Sequence, residues 1–94
     1  MPIEIRNPAA PDQIVATYDE TPDNALDDVV ARARAAQLEW AALPQPERGV
    51  LVTNFVNALE TRSEEIAKSI TKEMGKPLAE ARGEAMKALG EARA

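Results

Sequence analysis

Ninety-four residues fit one small domain or a piece of a larger one, and the 45% hydrophobic share is dominated by Ala, with one Phe, one Tyr and one Trp, so helices can pack closely while burying little area. The net charge is −5 with both signs mixed along the chain; no Lys/Arg cluster exists to displace phosphate counterions, which argues against a nucleic-acid or anionic-membrane surface. Cys and His are both absent, which excludes a disulfide, a thiolate nucleophile, a Cys-ligated metal and a side chain that titrates unaided near neutrality.

Ile3 and Ile5 alternate with Glu4 and Arg6 at the period of a half-buried strand. Asn7-Pro8-Ala9-Ala10-Pro11-Asp12 reads as a turn, and Gln13 to Tyr18, with Ile14, Val15 and Thr17, as a second strand. The expected product is a hairpin over 1–20 that pairs residues 3–7 with 13–18. A lone hairpin is marginal in water, so it requires a surface to pack on.

Thr21-Pro22-Asp23 carries the marks of a helix start: a hydroxyl cap, Pro at the first helical position and an acid at the positive end of the dipole. Leu26, Val29, Val30, Ala33 and Trp40 follow on one stripe, expected to be core. Leu43-Pro44 ends this helix. Pro46 opens the next, with Leu51, Val52, Phe55, Val56 and Leu59 on its stripe. Ser63 before Glu64 and Glu65 reads as a cap that restarts the chain as a third helix, with Ile66, Ile70 and Met74 as its buried edge. Gly75 suits a left-handed C-cap, and Pro77 can open a fourth helix whose inner face carries Leu78, Ala81, Ala85 and Leu89. No C-cap Gly or Pro closes this helix before Ala94, the pattern expected of a truncated or disordered end. The fold class is therefore mainly α with an N-terminal β-hairpin and about four helices: a single partial domain over 1–94, split into a hairpin (1–20) and a helical segment (21–94).

Little in the chain offers chemistry. Asp27/Asp28 and Glu64/Glu65 are sequence neighbours that point about 100° apart on a helix, as solvated surface does. Glu80 and Glu84 share a face, where Arg82 and Lys87 are expected to neutralise them. Ser63, Ser69, Thr53, Thr61 and Thr71 have no His to act as base. Gly75-Lys76-Pro77 precedes a helix but lacks the glycine spacing of a phosphate-binding loop, and Pro77 removes an N–H donor. Lys76 is expected to snorkel or pair with Glu73, and Trp40 to pack. No apolar run reaches the ~18–20 residues of a membrane span, and no signal segment is visible, so a soluble cytoplasmic chain is expected.

Five stretches, in order, resemble the N-terminal part of the NAD(P)-dependent aldehyde dehydrogenases. Asn7-Pro8-Ala9 with Ile14-Val15-Ala16-Thr17 is similar to that family's first hairpin, with Ala10-Pro11-Asp12 in place of a Thr-Gly turn. Ala31 to Ala36 running to Trp40 resembles its first long helix. Leu43-Pro44 with Pro46-Glu47-Arg48 is similar to its Pro-x-x-Arg helix start. Leu51 to Arg62, leading to Glu64-Glu65-Ile66-Ala67, resembles the next two helices of that family. Glu73-Met74-Gly75-Lys76-Pro77 with Glu80-Ala81-Arg82-Gly83-Glu84 is similar to its helix–helix corner.

The resemblance implies an N-terminal fragment of an enzyme that oxidises an aldehyde or semialdehyde to the acid with NAD⁺ or NADP⁺. In that family a Cys attacks the aldehyde, hydride passes to the cofactor and a Glu activates water. The nucleotide-binding sheet lies beyond residue 94, and these helices form one flank of the coenzyme domain. No catalytic, cofactor-binding or metal-binding residue carries over, so the 94 residues are expected to be non-catalytic and to hold no cofactor. The expected partners are the rest of the dehydrogenase chain or a second copy, with no nucleic acid and no membrane. Two rivals make different predictions. A free-standing helical interaction module would self-associate or bind a full-length homologue through stripes such as Leu51/Phe55/Leu59. An unrelated helical bundle would lack the hairpin.

Overall fold

A computed structural model describes residues 2–93. Strand β1 (Pro2–Asn7) pairs antiparallel with β2 (Ala10–Asp19), and helices α1 (Leu26–Ala42), α2 (Gln45–Thr61), α3 (Ser63–Met74) and α4 (Leu78–Arg93) follow. The mainly helical fold with an N-terminal hairpin is therefore present, against the expectation for an unrelated bundle.

Ile3 faces Tyr18, Glu4 faces Thr17 and Ile5 faces Ala16, after which the register breaks so that Arg6 faces Ile14 and Asn7 faces Ala10. The turn is tighter than the Asn7–Asp12 loop read from sequence, and β2 already begins at Ala10. Asn7 causes this. Its Oδ1 accepts the Ala9 N–H (2.9 Å), a local turn that returns the chain to the sheet, and its Nδ2 donates to Gln13 Oε1 (2.9 Å). Arg6 steadies the bulged segment by donating from Nη1 to the Pro11 carbonyl (3.0 Å). The surface the hairpin needs is supplied by α3, against which β1 packs.

Helix starts depart from expectation in two places. Thr21 caps nothing: a 3-10 turn over Asp23–Ala25 comes first, the Pro22 carbonyl accepts the Ala25 N–H (2.9 Å), and α1 begins only at Leu26. Ser63 is no cap either. Arg62 joins α2 to α3 with a near-helical backbone (φ −102°, ψ 14°), so α3 starts without a side-chain cap. The breaks at Pro44 and Gly75 stand as read. Leu43 is extended (ψ 139°), and the Pro44 carbonyl takes the Glu47 and Arg48 N–H groups (3.0 and 3.1 Å).

Packing departs further. The fully buried apolar residues among those described are Val56, Ala67, Ala81 and Ala85. Ala81 and Ala85 fall where the α4 stripe puts them, and Leu78 and Leu89 flank them half-buried. On α3 the buried residue is Ala67; Ile66 and Ile70 are half-buried, and Met74 is 67% exposed, not the buried edge expected. On α2, Val56 is buried but Phe55 is 63% exposed, with Leu51 and Val52 also open. The α1 stripe is no core at all: Leu26, Val29 and Val30 are exposed, and α1 packs appreciably only on the 3-10 turn that precedes it.

The reason is visible in the dimensions. The chain measures 48 × 37 × 15 Å, so its thickness barely exceeds the ~10–12 Å diameter of one helix with side chains. Its radius of gyration is 17.5 Å, against about 12 Å for a compact chain of this length. The helices form essentially one layer. A single layer can bury small residues at its seams but leaves its broad faces open.

Candidate functional site

The corner Glu73–Pro77 is built from three elements. Gly75 takes the left-handed conformation (φ +74°), and its N–H closes α3 on the Thr71 carbonyl (2.9 Å). The Pro77 carbonyl accepts the Ala81 N–H (3.1 Å) at the start of α4. The hairpin turn arrives from the third side: a Cβ added to Gly75 would lie 3.4 Å from the Pro8 Cβ. The space beside the glycine is thus filled by proline, not left as a cradle for phosphate. The corner also follows a helix rather than a strand, so its residues do not fit a dinucleotide. Gly75→Ala will lower stability by about 1–2 kcal/mol, because an alanine must take the left-handed well while its methyl meets Pro8; a shift in the urea midpoint with unchanged slope checks it.

Lys76 does not pair with Glu73. It bonds to Glu84, nearly two turns into α4. This partner raises the lysine pKa, chiefly through the hydrogen bond. Arg82 does not neutralise Glu80 or Glu84 either. It crosses to α3 and donates from Nε (3.0 Å) and Nη2 (2.7 Å) to the two carboxylate oxygens of Glu64. Arg62 makes the same fork to Glu65 (3.0 and 2.9 Å), and Arg32 reaches Asp28 (3.0 Å). Hydrogen bonds from the arginines hold the Glu64 and Glu65 carboxyls below the ordinary glutamate pKa. These acids are therefore strapped as carboxylates on an exposed surface, the opposite of a general acid, and such pairs add little stability. Among the described residues, no group of three or more acids converges as a metal site requires. The Thr61 hydroxyl donates to the Asn57 carbonyl (3.1 Å), and the Thr71 hydroxyl is buried without a partner.

An open concavity lies elsewhere, where the end of α1, the first half of α2 and the end of α4 meet. It is an open cleft of about 450 Å³ walled by Trp40, Arg48, Val52, Thr53 and Arg93. Trp40 is half-buried at its edge rather than packed in a core. Arg93 is already engaged: its Nη2 donates to Glu60 (2.5 Å) and Asn57 (3.3 Å), tying α4 to α2. Arg48 is not. Its Nε is buried and has no hydrogen-bond partner, a condition that costs about 1–3 kcal/mol. Sequence reasoning used Arg48 only as a mark of a helix start. Its signal was there, a guanidinium in the first turn of a helix that begins soon after the only Trp, but nothing in the sequence says that this donor is left unsatisfied.

No helix among the described residues is long and apolar enough to cross a membrane.

The aldehyde dehydrogenase family model matches residues 1–94. The chain is 37% identical over 86 residues to the alpha-ketoglutarate semialdehyde dehydrogenase of Haloferax volcanii, with 92% of this chain and 18% of that protein covered. It is 35% identical over 82 residues to the alpha-ketoglutaric semialdehyde dehydrogenase of Bacillus subtilis, covering 87% of this chain and 17% of that one. Over 59 residues it is 46% identical to the N-succinylglutamate 5-semialdehyde dehydrogenase of Novosphingobium aromaticivorans, covering 63% and 12%. It thus spans less than a fifth of the length of these curated relatives. The matches lend no support to a free-standing interaction module. With the hairpin, the Pro44 break and the Gly75 corner all in the order the resemblance requires, the chain belongs to the aldehyde dehydrogenase family.

Proposed function

We propose that these 94 residues are a partial domain, the N-terminal segment of an aldehyde dehydrogenase, and that they serve as one flank of its coenzyme domain rather than as a catalyst. The whole enzyme oxidises a semialdehyde to the corresponding acid with NAD⁺ or NADP⁺, and the relatives point to a semialdehyde whose far end carries a carboxylate. The observation that carries this reading is the single-layer architecture. The accessible surface is 7540 Å², whereas a compact chain of this size exposes about 5,300 Å². The surplus of roughly 2,200 Å² is well above the ~800 Å² that one partner contributes to a standard interface, and resembles a domain core cut in half. The short span relative to the relatives supports the same reading.

The test is a paired assay. The 94-residue chain, with no Cys for the family's nucleophile, is expected to give no cofactor reduction with alpha-ketoglutarate semialdehyde. The polypeptide that continues past residue 94 is expected to reduce NAD⁺ or NADP⁺ with it. Turnover by the short chain, or a reading frame that ends at residue 94, overturns the reading.

A further inference from the structure

Helix α2 has a face that its own chain does not cover. Its inner side carries Val56, buried, with Arg48 and Leu59 half-buried. Its outer side carries Glu47, Leu51, Asn54, Phe55, Ala58 and Arg62, all exposed, with Leu51 at 49% and Phe55 at 63%. Their spacing of three and four residues sets them on one stripe, and the near-helical backbone of Arg62 carries the stripe to its end. No residue from Gly49 to Leu59 is charged, so the middle of the stripe presents no charge that a partner would have to desolvate.

The ends of the stripe say which partner fits. Glu47 stands four residues before Leu51, and Arg62 four after Ala58. The stripe therefore runs from acid through apolar to basic, and turned end for end it is its own complement. If two α2 helices lie antiparallel about a twofold axis between residues 54 and 55, Glu47 meets Arg62 of the partner subunit. Leu51 then meets Ala58 of the partner subunit, large against small, which lets the helices approach. The twofold repeats each contact. A parallel pair would set acid on acid and arginine on arginine, so charge selects the antiparallel register. Both charged residues can serve. Arg62 gives Nε and Nη2 to Glu65, which leaves Nη1 for another acceptor. Glu47 has no ion-pair partner among the described residues.

The net charge of −5 does not forbid this contact. Residues 1–30 hold seven of the sixteen acids and one of the eleven basic residues. They form the hairpin and the start of α1, which do not pack appreciably on α2. The excess of acid thus belongs to elements outside the stripe.

We propose that the outer face of α2 is a self-association surface, on which a second copy of this chain docks its own α2 antiparallel, with Leu51, Phe55 and Ala58 at the centre and Glu47 and Arg62 of the partner subunit paired at each end. This goes beyond the proposed function: that reading has other parts of one enzyme chain cover this segment, whereas this one assigns a face that two copies of the 94-residue chain share.

The contact runs for about 23 Å of helix and stays below the ~800 Å² per partner of a standard interface, so a weak dimer is expected, with a Kd of about 10–100 μM. Sedimentation equilibrium on the 94-residue chain measures it. Glu47→Lys and Arg62→Glu are each expected to weaken the dimer by about tenfold, and the two together to restore it to within about threefold. Glu47→Lys also brings the net charge closer to zero, so repulsion between whole chains alone would make it strengthen the dimer instead. Circular dichroism checks that each variant keeps its helices. The chain has no Cys, so a single introduced thiol can react only with its counterpart in a second copy. Asn54→Cys, beside the twofold, is expected to form a disulfide dimer at least about ten times faster than Thr53→Cys, which lies on the other side of α2 against the cleft. A monomer up to ~200 μM overturns the proposal. So does a dimer that Glu47→Lys leaves unchanged or strengthens, or equal crosslinking at the two positions. None of these results bears on cofactor reduction by the longer polypeptide, so failure here and failure of the proposed function are distinguishable.

Discussion

In amide hydrogen exchange, the α1 amides of the 94-residue chain will exchange at nearly the rate of an isolated helix, while those of α3 and the first half of α4 are slower. In the polypeptide that continues past residue 94, α1 will gain about a hundredfold in protection. The first half of this expectation comes from the contacts of α1. It is a 17-residue helix whose leading apolar residues are exposed and which packs appreciably only on its own leading turn. Alone, a helix of this length is marginal in water even when alanine-rich. Its N-terminus lacks a side-chain cap, and its last turn carries no basic residue to meet the dipole. The only local help is Asp27 and Asp28 in the first turn and the Asp28–Arg32 pair, each worth a few tenths of a kcal/mol.

The size of the gain is set by area. Leu26, Val29 and Val30 each keep about half their surface exposed. Full burial of such a side chain contributes about 1.5–3 kcal/mol, so completing it for three adds on the order of 3 kcal/mol. Opening of α1 then falls by about two powers of ten. If α1 in the 94-residue chain is already as protected as α3, its stripe is covered within those residues and the single-layer reading is wrong. If protection does not rise in the longer polypeptide, the residues beyond 94 do not complete the flank.

The same stripe shows what was legible in the sequence and what was not. Periodicity located both strands and all four α-helices, and chain-breaking residues located the joints: Pro44 between α1 and α2, Gly75 and Pro77 between α3 and α4. These signals are local, carried by backbone geometry that neighbours cannot change. The misplaced boundaries at Thr21 and Ser63 come from hydroxyls that have the right chemistry for a cap but lie beside a backbone that does without one: a 3-10 turn in one case, the near-helical Arg62 in the other. The turn at Asn7 was misjudged because one amide side chain closes it early.

Burial was the illegible part. A stripe says that a face is meant to be covered, but not by which element. Large residues such as Leu51, Phe55 and Met74 were expected inside and stand outside, whereas alanines form the closest contacts. The candidate site shows the same limit. Arg48 was legible as a helix-start residue, but its unsatisfied Nε emerges only when α1, α2 and α4 are brought together.

Because alanines form the seam, substituting them will have the largest effect of any single change. Ala81→Leu is expected to abolish the cooperative urea transition of the 94-residue chain, or to lower stability by about 3 kcal/mol if a transition survives, whereas Ala88→Leu on the same helix will shift it by less than about 0.5 kcal/mol. The two substitutions add the same atoms in the same helix, and Ala and Leu differ little in helix propensity. Ala81 is fully buried, as is Ala67 on α3, and Ala88 is exposed. The difference therefore isolates the packing around Ala81, on the helix that packs most extensively against α3, where small residues permit close approach. A leucine at 81 must push α4 away from α3, which pulls Arg82 from Glu64 and uncovers Ala67 together. The buried set among the described residues is small, Val56, Ala67, Ala81 and Ala85, so opening the seam removes a large share of it. Equal effects at 81 and 88 would show that the seam is loose enough to admit a larger side chain. Helical circular dichroism against urea separates the outcomes, and Ala67→Leu, which attacks the seam from the α3 side, is expected to reproduce Ala81→Leu.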